Sequence, residues 1–152
     1  MGFFDKIKSA VSAVTGGAAK VYIDVGEAQR GFSAPVTVRA VAEAELKVSS
    51  VYVLVRAQEH AEVMDTDMKA TGGIKREKVR GSHKSFDSKL ELAGAMTLEA
   101  GREYTWEGQI EIPGHVAPTF HGTIIRHVWQ VQAGLDAFGN DPDSGWQEIQ
   151  VS

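Results

Sequence analysis

The stretch from Ile110 to Asp136 constrains the fold of this chain most, because it joins two alternating segments through a proline-bounded connection. Side chains of a β-strand point alternately to opposite faces, so a half-buried strand alternates apolar and polar residues. One face of the first segment holds Tyr104, Trp106, Gly108, Ile110 and Ile112, and one face of the second holds Ile125, Trp129, Val131, Ala133 and Leu135. Pro113 and Pro118 bracket the connection, since proline donates no ladder hydrogen bond. We expect this region to supply the centre of the core, through Trp106, Ile110, Phe120, Ile125, Trp129 and Val131.

Five further strand-like segments, separated by turn residues, accompany these two. The seven predicted strands are Val21–Val25, Val36–Ala42, Val51–Ala57, Phe86–Leu92, Tyr104–Ile112, Ile124–Leu135 and Trp146–Val151. No helical segment lies between them to make parallel crossovers. The sequence therefore predicts an all-β fold, an antiparallel immunoglobulin-like sandwich of about seven to eight strands.

The first 16 residues have a different pattern. Apolar residues recur there at spacings of three and four, which is typical of an amphipathic helix: Phe4, Ile7, Val11 and Val14. We therefore predict a short N-terminal helix over residues 1–16 and a single sandwich domain over residues 18–152. The residues expected to make contacts are Phe3, Phe4, Ile7 and Val11. Docking on protein is favoured over a membrane interface, because about three turns with two lysines would bind a bilayer weakly.

Composition excludes several classes of protein. The formal net charge of −4 gives no global reason to expect nucleic acid as a partner. The chain has no cysteine, which excludes disulfides and thiolate chemistry and fits a reducing compartment. No apolar run approaches the roughly 20 residues needed to span a bilayer. We expect a soluble, cytoplasmic protein.

Residues 60–84 form a long polar link that is acidic in its first half and basic in its second. Its cations are candidate contacts for a partner or an anion: Lys69, Lys75, Arg76, Lys78, Arg80 and Lys84. A solvated hairpin is favoured over a specific anion site, and Ile74 to Val79 could pair weakly at a sheet edge. No aromatic residues lie among these cations, which disfavours binding of single-stranded nucleic acid.

No catalytic, cofactor or metal site is predicted. The sequence lacks a Gly-x-Ser-x-Gly elbow, a phosphate-binding glycine loop and a His-Glu-x-x-His pair. His121 and His127 would lie about 20 Å apart along a strand, too far to chelate one ion, and we expect His127 to be a partly buried sheet residue with a satisfied hydrogen bond. The Phe138–Gly145 segment lacks the EF-hand spacing and predicts a tight loop held by aspartate-mediated turns. We expect no enzyme and no cofactor.

Several segments together resemble the arrestin-like fold. They are Ile112-Pro113, the Pro118-Thr119-Phe120-x-Gly122 crossover, the strand from Val128 to Asp136, the Asp-Pro-Asp loop, and the Gly31–Val38 segment followed by Val51–Val55. The similarity is greatest to the amino-terminal domain of bacterial sporulation-control arrestin-like proteins. It covers nearly the whole chain, and it lies in residues that define a fold rather than a chemistry.

The resemblance implies a non-enzymatic adaptor or scaffold that recognises other proteins, by sheet-edge pairing for example. Arrestin-like proteins usually have two sandwiches in tandem, whereas this sequence holds one, so we expect self-association to take the place of the second. Two alternatives stay open. One is a structural subunit of a larger assembly built through sheet edges and the N-terminal helix, and the other is an anion- or metal-binding module.

Overall fold

The structure is a computed structural model that describes residues 18–152, and these form two antiparallel β-sheets around one core. The strands are β1 (Ala19–Val25), β2 (Ser33–Ala42), β3 (Leu46–Met68), β4 (Ile74–Ala93), β5 (Met96–Leu98), β6 (Glu103–Glu111), β7 (Phe120–His121), β8 (Ile125–Ala137) and β9 (Gln147–Ile149). All seven predicted strands are present, and the short β5 and β7 add to them. The predicted helix over residues 1–16 lies outside the described residues. Within those described, no helix is long and apolar enough to span a bilayer.

The two sheets divide the strands unequally. The first sheet has the order β1-β2-β6, and the second has the order β4-β3-β8-β7, with β5 also paired to β3 and β9 to β8. Every pairing between these strands is antiparallel. The connection from β6 to β8 passes from the first sheet to the second, so the predicted crossover and the predicted antiparallel sandwich are both confirmed.

The core lies between the sheets and follows the predicted alternation. In β2 every second residue from Ala34 to Ala42 is buried, and in β3 Val51, Val53 and Val55 are buried against the core, while Tyr52 is also buried on the opposite face. Small and β-branched side chains dominate this core, as expected where two pleated surfaces interdigitate. Trp129 of β8 is the largest fully buried side chain among the described residues.

The predicted centre of the core is correct for some residues and wrong for others. Ile110, Trp129 and Val131 are buried, and Trp106 packs against the core while partly exposed. The prediction is wrong for Phe120 and Ile125, which have 54% and 52% of their surface exposed. Both lie in a stretch, residues 120–126, that is exposed throughout. The alternation of apolar and polar residues indicates which face of a strand is apolar, but that face is buried only where the opposite sheet covers it.

His127 is a sheet residue with both ring nitrogens hydrogen-bonded, as predicted, and it is buried rather than partly buried. Its Nδ1 lies 3.0 Å from the carbonyl oxygen of Pro118, to which it donates, and its Nε2 lies 2.6 Å from Oγ of Ser85. Ser85 is the extra residue of a β-bulge, because Ala57 pairs with Phe86 whereas Gln58 pairs with Lys84. Through this hydrogen bond, the histidine fixes the position of the bulged residue Ser85 on β4.

Candidate functional site

Beyond this bulge, β3 and β4 continue as a paired ribbon, which is two-stranded beyond Ala61 and projects from the sandwich there. We define the ribbon as residues 58–84. Its strands are paired from Gln58↔Lys84 to Met68↔Ile74, a length of about 36 Å at 3.3 Å per residue. The neighbouring strand β8 ends its pairing with β3 at Ala61↔Ile125. Every residue from Glu62 to Lys84 is exposed. The polar link is thus a hairpin, as the sequence favoured, and its pairing is continuous from Gln58↔Lys84 to Met68↔Ile74.

The tip of the ribbon is a tight turn. The amide of Lys69 donates to the carbonyl of Gly73 at 2.7 Å, and the amide of Gly72 donates to the carbonyl of Lys69 at 2.9 Å. Gly72 has a φ of 88°, a left-handed conformation that glycine adopts without a Cβ clash. A three-residue loop ending in such a residue is a common hairpin connection. The tip is therefore defined by backbone hydrogen bonds.

The register sorts the charges of the ribbon onto two faces. Even-numbered residues of both strands share the outer face, which continues the solvent side of the second sheet, and odd-numbered residues share the inner face, which continues its core side. The outer face carries four cations and one carboxylate: Arg76, Lys78, Arg80, Lys84 and Glu62. The inner face carries four carboxylates and one cation: Glu59, Asp65, Asp67, Glu77 and Lys75. The ribbon is cationic on one side and acidic on the other.

The ion pairs within the ribbon join residues of the same face. Glu62 accepts from Arg80 at 2.8 Å and lies 3.3 Å from Nζ of Lys78, and Lys75 lies 3.7 Å from Glu77. Hydrogen bonds from Arg80 and then from Lys78 lower the pKa of Glu62 below its ordinary value. Such exposed pairs contribute little stability each. They orient the cations without cancelling the excess charge of either face.

Some charges of the ribbon have no ion-pair partner within residues 18–152. These are Arg76 on the outer face, Lys69 at the tip, and Glu59, Asp65 and Asp67 on the inner face. Lys84 pairs with Asp87, just beyond the bulge. Of the six cations singled out in the sequence, four therefore lie together on the outer face, while Lys75 lies on the inner face and Lys69 at the tip. The sequence contained the signal for this sorting, since Lys75 and Glu77 alternate with Arg76, Lys78 and Arg80.

Large apolar side chains are exposed on both faces. Met64, Met68 and Ile74 lie on the outer face, and Met68 and Ile74 expose 85% and 62% of their surface. Val63 and Val79 lie directly opposite each other on the inner face, and both are exposed. Exposed apolar side chains that lie among charges are typical of surfaces that bind proteins.

A cleft of about 640 Å³ lies at the base of the ribbon. Its lining combines residues of β3 and β4 with the turn between β7 and β8, including His60, Arg80, Ser82 and Arg126. The amide of Glu62 donates to the carbonyl of Ile124 at 2.9 Å, which ties this turn to the ribbon. The cleft extends the cationic outer face onto the sandwich through Arg126, a residue that sequence reasoning missed because it lies far away in the chain.

The acidic loop after β8 is a turn structure, as predicted. The carboxylate of Asp141 accepts hydrogen bonds from the hydroxyl of Tyr52 at 2.9 Å and from the amide of Ala137 at 3.1 Å. That of Asp143 accepts from the amide of Gly145 at 2.7 Å. Within residues 18–152, no three His, Cys, Asp or Glu side chains converge as they would to hold a metal ion. The loop aspartates fix the conformation of the loop, and Asp141 holds the hydroxyl of Tyr52 on the solvent side of the second sheet.

We predict that Tyr52 makes stability depend on pH in the alkaline range. Burial, followed by the hydrogen bond to Asp141 and the charges of the loop, raises the pKa of Tyr52 well above its ordinary value of 10.0. Its contribution to the free energy of unfolding is therefore fully present below pH 10.0 and is lost as the pH rises above it. Urea unfolding at several alkaline pH values should show a steeper loss for the wild type than for Tyr52→Phe. Parallel profiles would refute this prediction.

The sandwich can be compared with known proteins. The crystal structure of Spo0M, a sporulation control protein from Bacillus subtilis, superposes with a TM-score of 0.61 and 18% sequence identity. The fold is arrestin-like. The match covers 90% of this chain and 50% of the Spo0M chain, so the chain spans about half the length of that protein. The resemblance seen in the sequence is confirmed at the level of the fold, which is all that such an identity establishes.

Comparison with protein-family profiles and with curated proteins finds no match. On the surface of this arrestin-like chain, the ribbon combines charge, exposed apolar side chains and a defined backbone.

Proposed function

We propose that this chain is a non-enzymatic protein-binding scaffold of arrestin-like type, and that the ribbon is its contact element. The observation that carries the proposal is the exposure of large apolar side chains on a fully paired projection. A two-stranded hairpin is marginally stable in water, and one that projects beyond its sheet adds little to the core. Met68 and Ile74 at its far end therefore stabilise little in the isolated chain, and a partner would cover them.

The charges of the ribbon favour a protein partner over nucleic acid. A ligand rich in phosphate would be attracted by the outer face and repelled by the inner face of the same narrow ribbon. No aromatic side chain lies on the ribbon to stack on bases. A protein surface can offer carboxylates, cations and apolar side chains together, which matches the composition of the ribbon.

Shortening the ribbon tests this proposal. In the test variant, Asn-Gly replaces residues 63–79 and leaves the Glu62↔Arg80 pair to flank a two-residue turn. We expect the full chain to capture partner chains from its native cells and the shortened chain to lose them, since the core is untouched. Circular dichroism during urea unfolding should give nearly the same midpoint for both.

A matched control is available at the opposite end of β8. Phe138 follows that strand and is fully exposed, so Phe138→Ser removes an exposed aromatic residue far from the ribbon. This variant should capture the same partners as the wild type. If the shortened chain also captures them all, the ribbon is not the contact element.

A further inference from the structure

The ribbon carries two surfaces that are complementary to each other. Its outer face has an excess of cations, and its inner face an excess of carboxylates, in the same numbers. Both faces expose apolar side chains, with Met64, Met68 and Ile74 on the outer face towards the tip and the Val63↔Val79 pair in the middle of the inner face. Resting on the proposed function, we propose that the partner is a second copy of this chain, and that the outer face of one ribbon packs on the inner face of the next.

The charge pattern selects the symmetry of this contact. A two-fold axis between the ribbons would place each face against itself, with cations opposing cations, and like charges in close contact are repulsive. Stacking outer face on inner face places Arg76 near the carboxylates of Asp65 and Asp67, all three of which have no ion-pair partner within residues 18–152. The favoured contact is therefore heterologous.

A heterologous contact leaves one free face of each kind at the two ends of every complex. Unless the rotation between copies closes a ring, further copies add to those ends. The ribbon supplies about 36 Å of length and the width of two strands, an area below the roughly 800 Å² per partner of a standard stable interface. Association should therefore be weak and concentration-dependent, and because exposed charges guide it, salt should weaken it further.

Pairing through the strand edges of the ribbon is the competing geometry. Beyond Ala61 both strands of the ribbon are edges, and both carry charged side chains: Lys75, Arg76, Lys78 and Arg80 on β4, and Glu62, Asp65 and Asp67 on β3. Charged side chains of this kind, lysine above all, protect edge strands from pairing with other chains. Face-to-face stacking instead uses those charges, so the same residues oppose edge pairing and favour the stacked contact.

Two charge-reversal variants of the full chain test the proposal. The outer-face variant is Arg76→Glu with Lys78→Glu, and the inner-face variant is Asp65→Lys with Asp67→Lys. All four positions are exposed, so both variants should unfold at nearly the wild-type urea concentration. The outer-face variant has two acidic faces and the inner-face variant two cationic faces. Neither can stack on itself, but the unaltered face of one still complements the unaltered face of the other.

Sedimentation velocity across a concentration series measures the outcome. At low salt, about 50 mM, we expect the wild type to associate, each variant alone to associate at least about tenfold more weakly, and an equal mixture of both to regain association. Raising the salt to about 500 mM should weaken the wild-type and mixed complexes alike. Recovery in the mixture cannot come from misfolding, since a misfolded chain would not be rescued by another.

Three results would overturn the inference: a wild type that stays monomeric at every concentration, variants that associate alone as the wild type does, or a mixture that fails to associate. The proposed function fails separately. It stands if shortening the ribbon abolishes capture of partner chains from the cell, whether native copies of this chain or other proteins, and it falls if capture is unchanged.

Discussion

Replacing Trp129 by alanine is expected to lower the free energy of unfolding by about 3–5 kcal/mol. The indole is fully buried at the centre of β8, and its ring centroid lies 5.5 Å from that of Phe86 across the sheet. Its Nε1 donates a hydrogen bond of 2.9 Å to the carbonyl of Ala117, in the connection between β6 and β7. The substitution therefore leaves a cavity and also frees the crossover. Urea unfolding followed by circular dichroism measures the change.

Phe120→Ala is the matched control, because the sequence assigns both aromatic residues to the core and the structure buries only one. Phe120 is more than half exposed, so its removal should change the free energy of unfolding by no more than about 0.5 kcal/mol. Equal losses for the two variants would contradict the burial of Trp129 described above. A small loss for Phe120 combined with a large one for Trp129 supports it.

Gly134→Ala is expected to destabilise the chain by about 1–3 kcal/mol, the usual cost of inserting an atom into filled space. A Cβ at this position would overlap the ring carbon Cζ and the hydroxyl of Tyr52, which stands opposite Gly134 on the neighbouring strand β3. The ring cannot move aside freely, because its hydroxyl donates to Asp141 and the ammonium of Lys89 lies 4.6 Å from its centroid. Thermal or urea unfolding of the purified variant measures the loss.

Gly81→Ala supplies the control, since both glycines lie in strands without positive φ and a Cβ at Gly81 meets nothing within 4 Å. There the substitution should be neutral or stabilise the chain by up to about 1 kcal/mol, because alanine restricts the unfolded chain. A double-mutant cycle completes the test. If the Tyr52 ring causes the loss, Gly134→Ala should cost much less in a Tyr52→Ala background. Additive losses would show that the ring is not responsible.

The sandwich was predictable because its strands are half buried. In β6 and β8 one face contacts the core, so apolar residues such as Ile110 and Val131 had to recur at every second position. The exposed ends of the strands escape this rule. Ile125 continues the alternation of β8, yet lies where burial has ended, and no pattern within a single strand reports what covers it.

The ribbon was only partly predictable, for the opposite physical reason. No residue from Glu62 to Lys84 is buried, so no apolar periodicity distinguishes a strand from a loop there. The alternation of charges within 75–80 is visible in the sequence, but which residues of the two hairpin strands share a face depends on which stand opposite each other, as Glu62 and Arg80 do. The register is set by the whole hairpin, including its bulge. The sequence of each half taken separately shows only an acidic segment followed by a basic one.

The bulge at Ser85 decides which charges share a side of the ribbon. Between Tyr52 and Ala57, odd residues of β3 stand opposite even residues of β4, whereas in the ribbon even residues stand opposite even residues. Had the first register continued, Arg76, Lys78 and Arg80 would lie beside Asp65 and Asp67, and the ribbon would have mixed, nearly neutral sides. A single inserted residue, hydrogen-bonded to a buried histidine, thus determines that the ribbon has one positively and one negatively charged face.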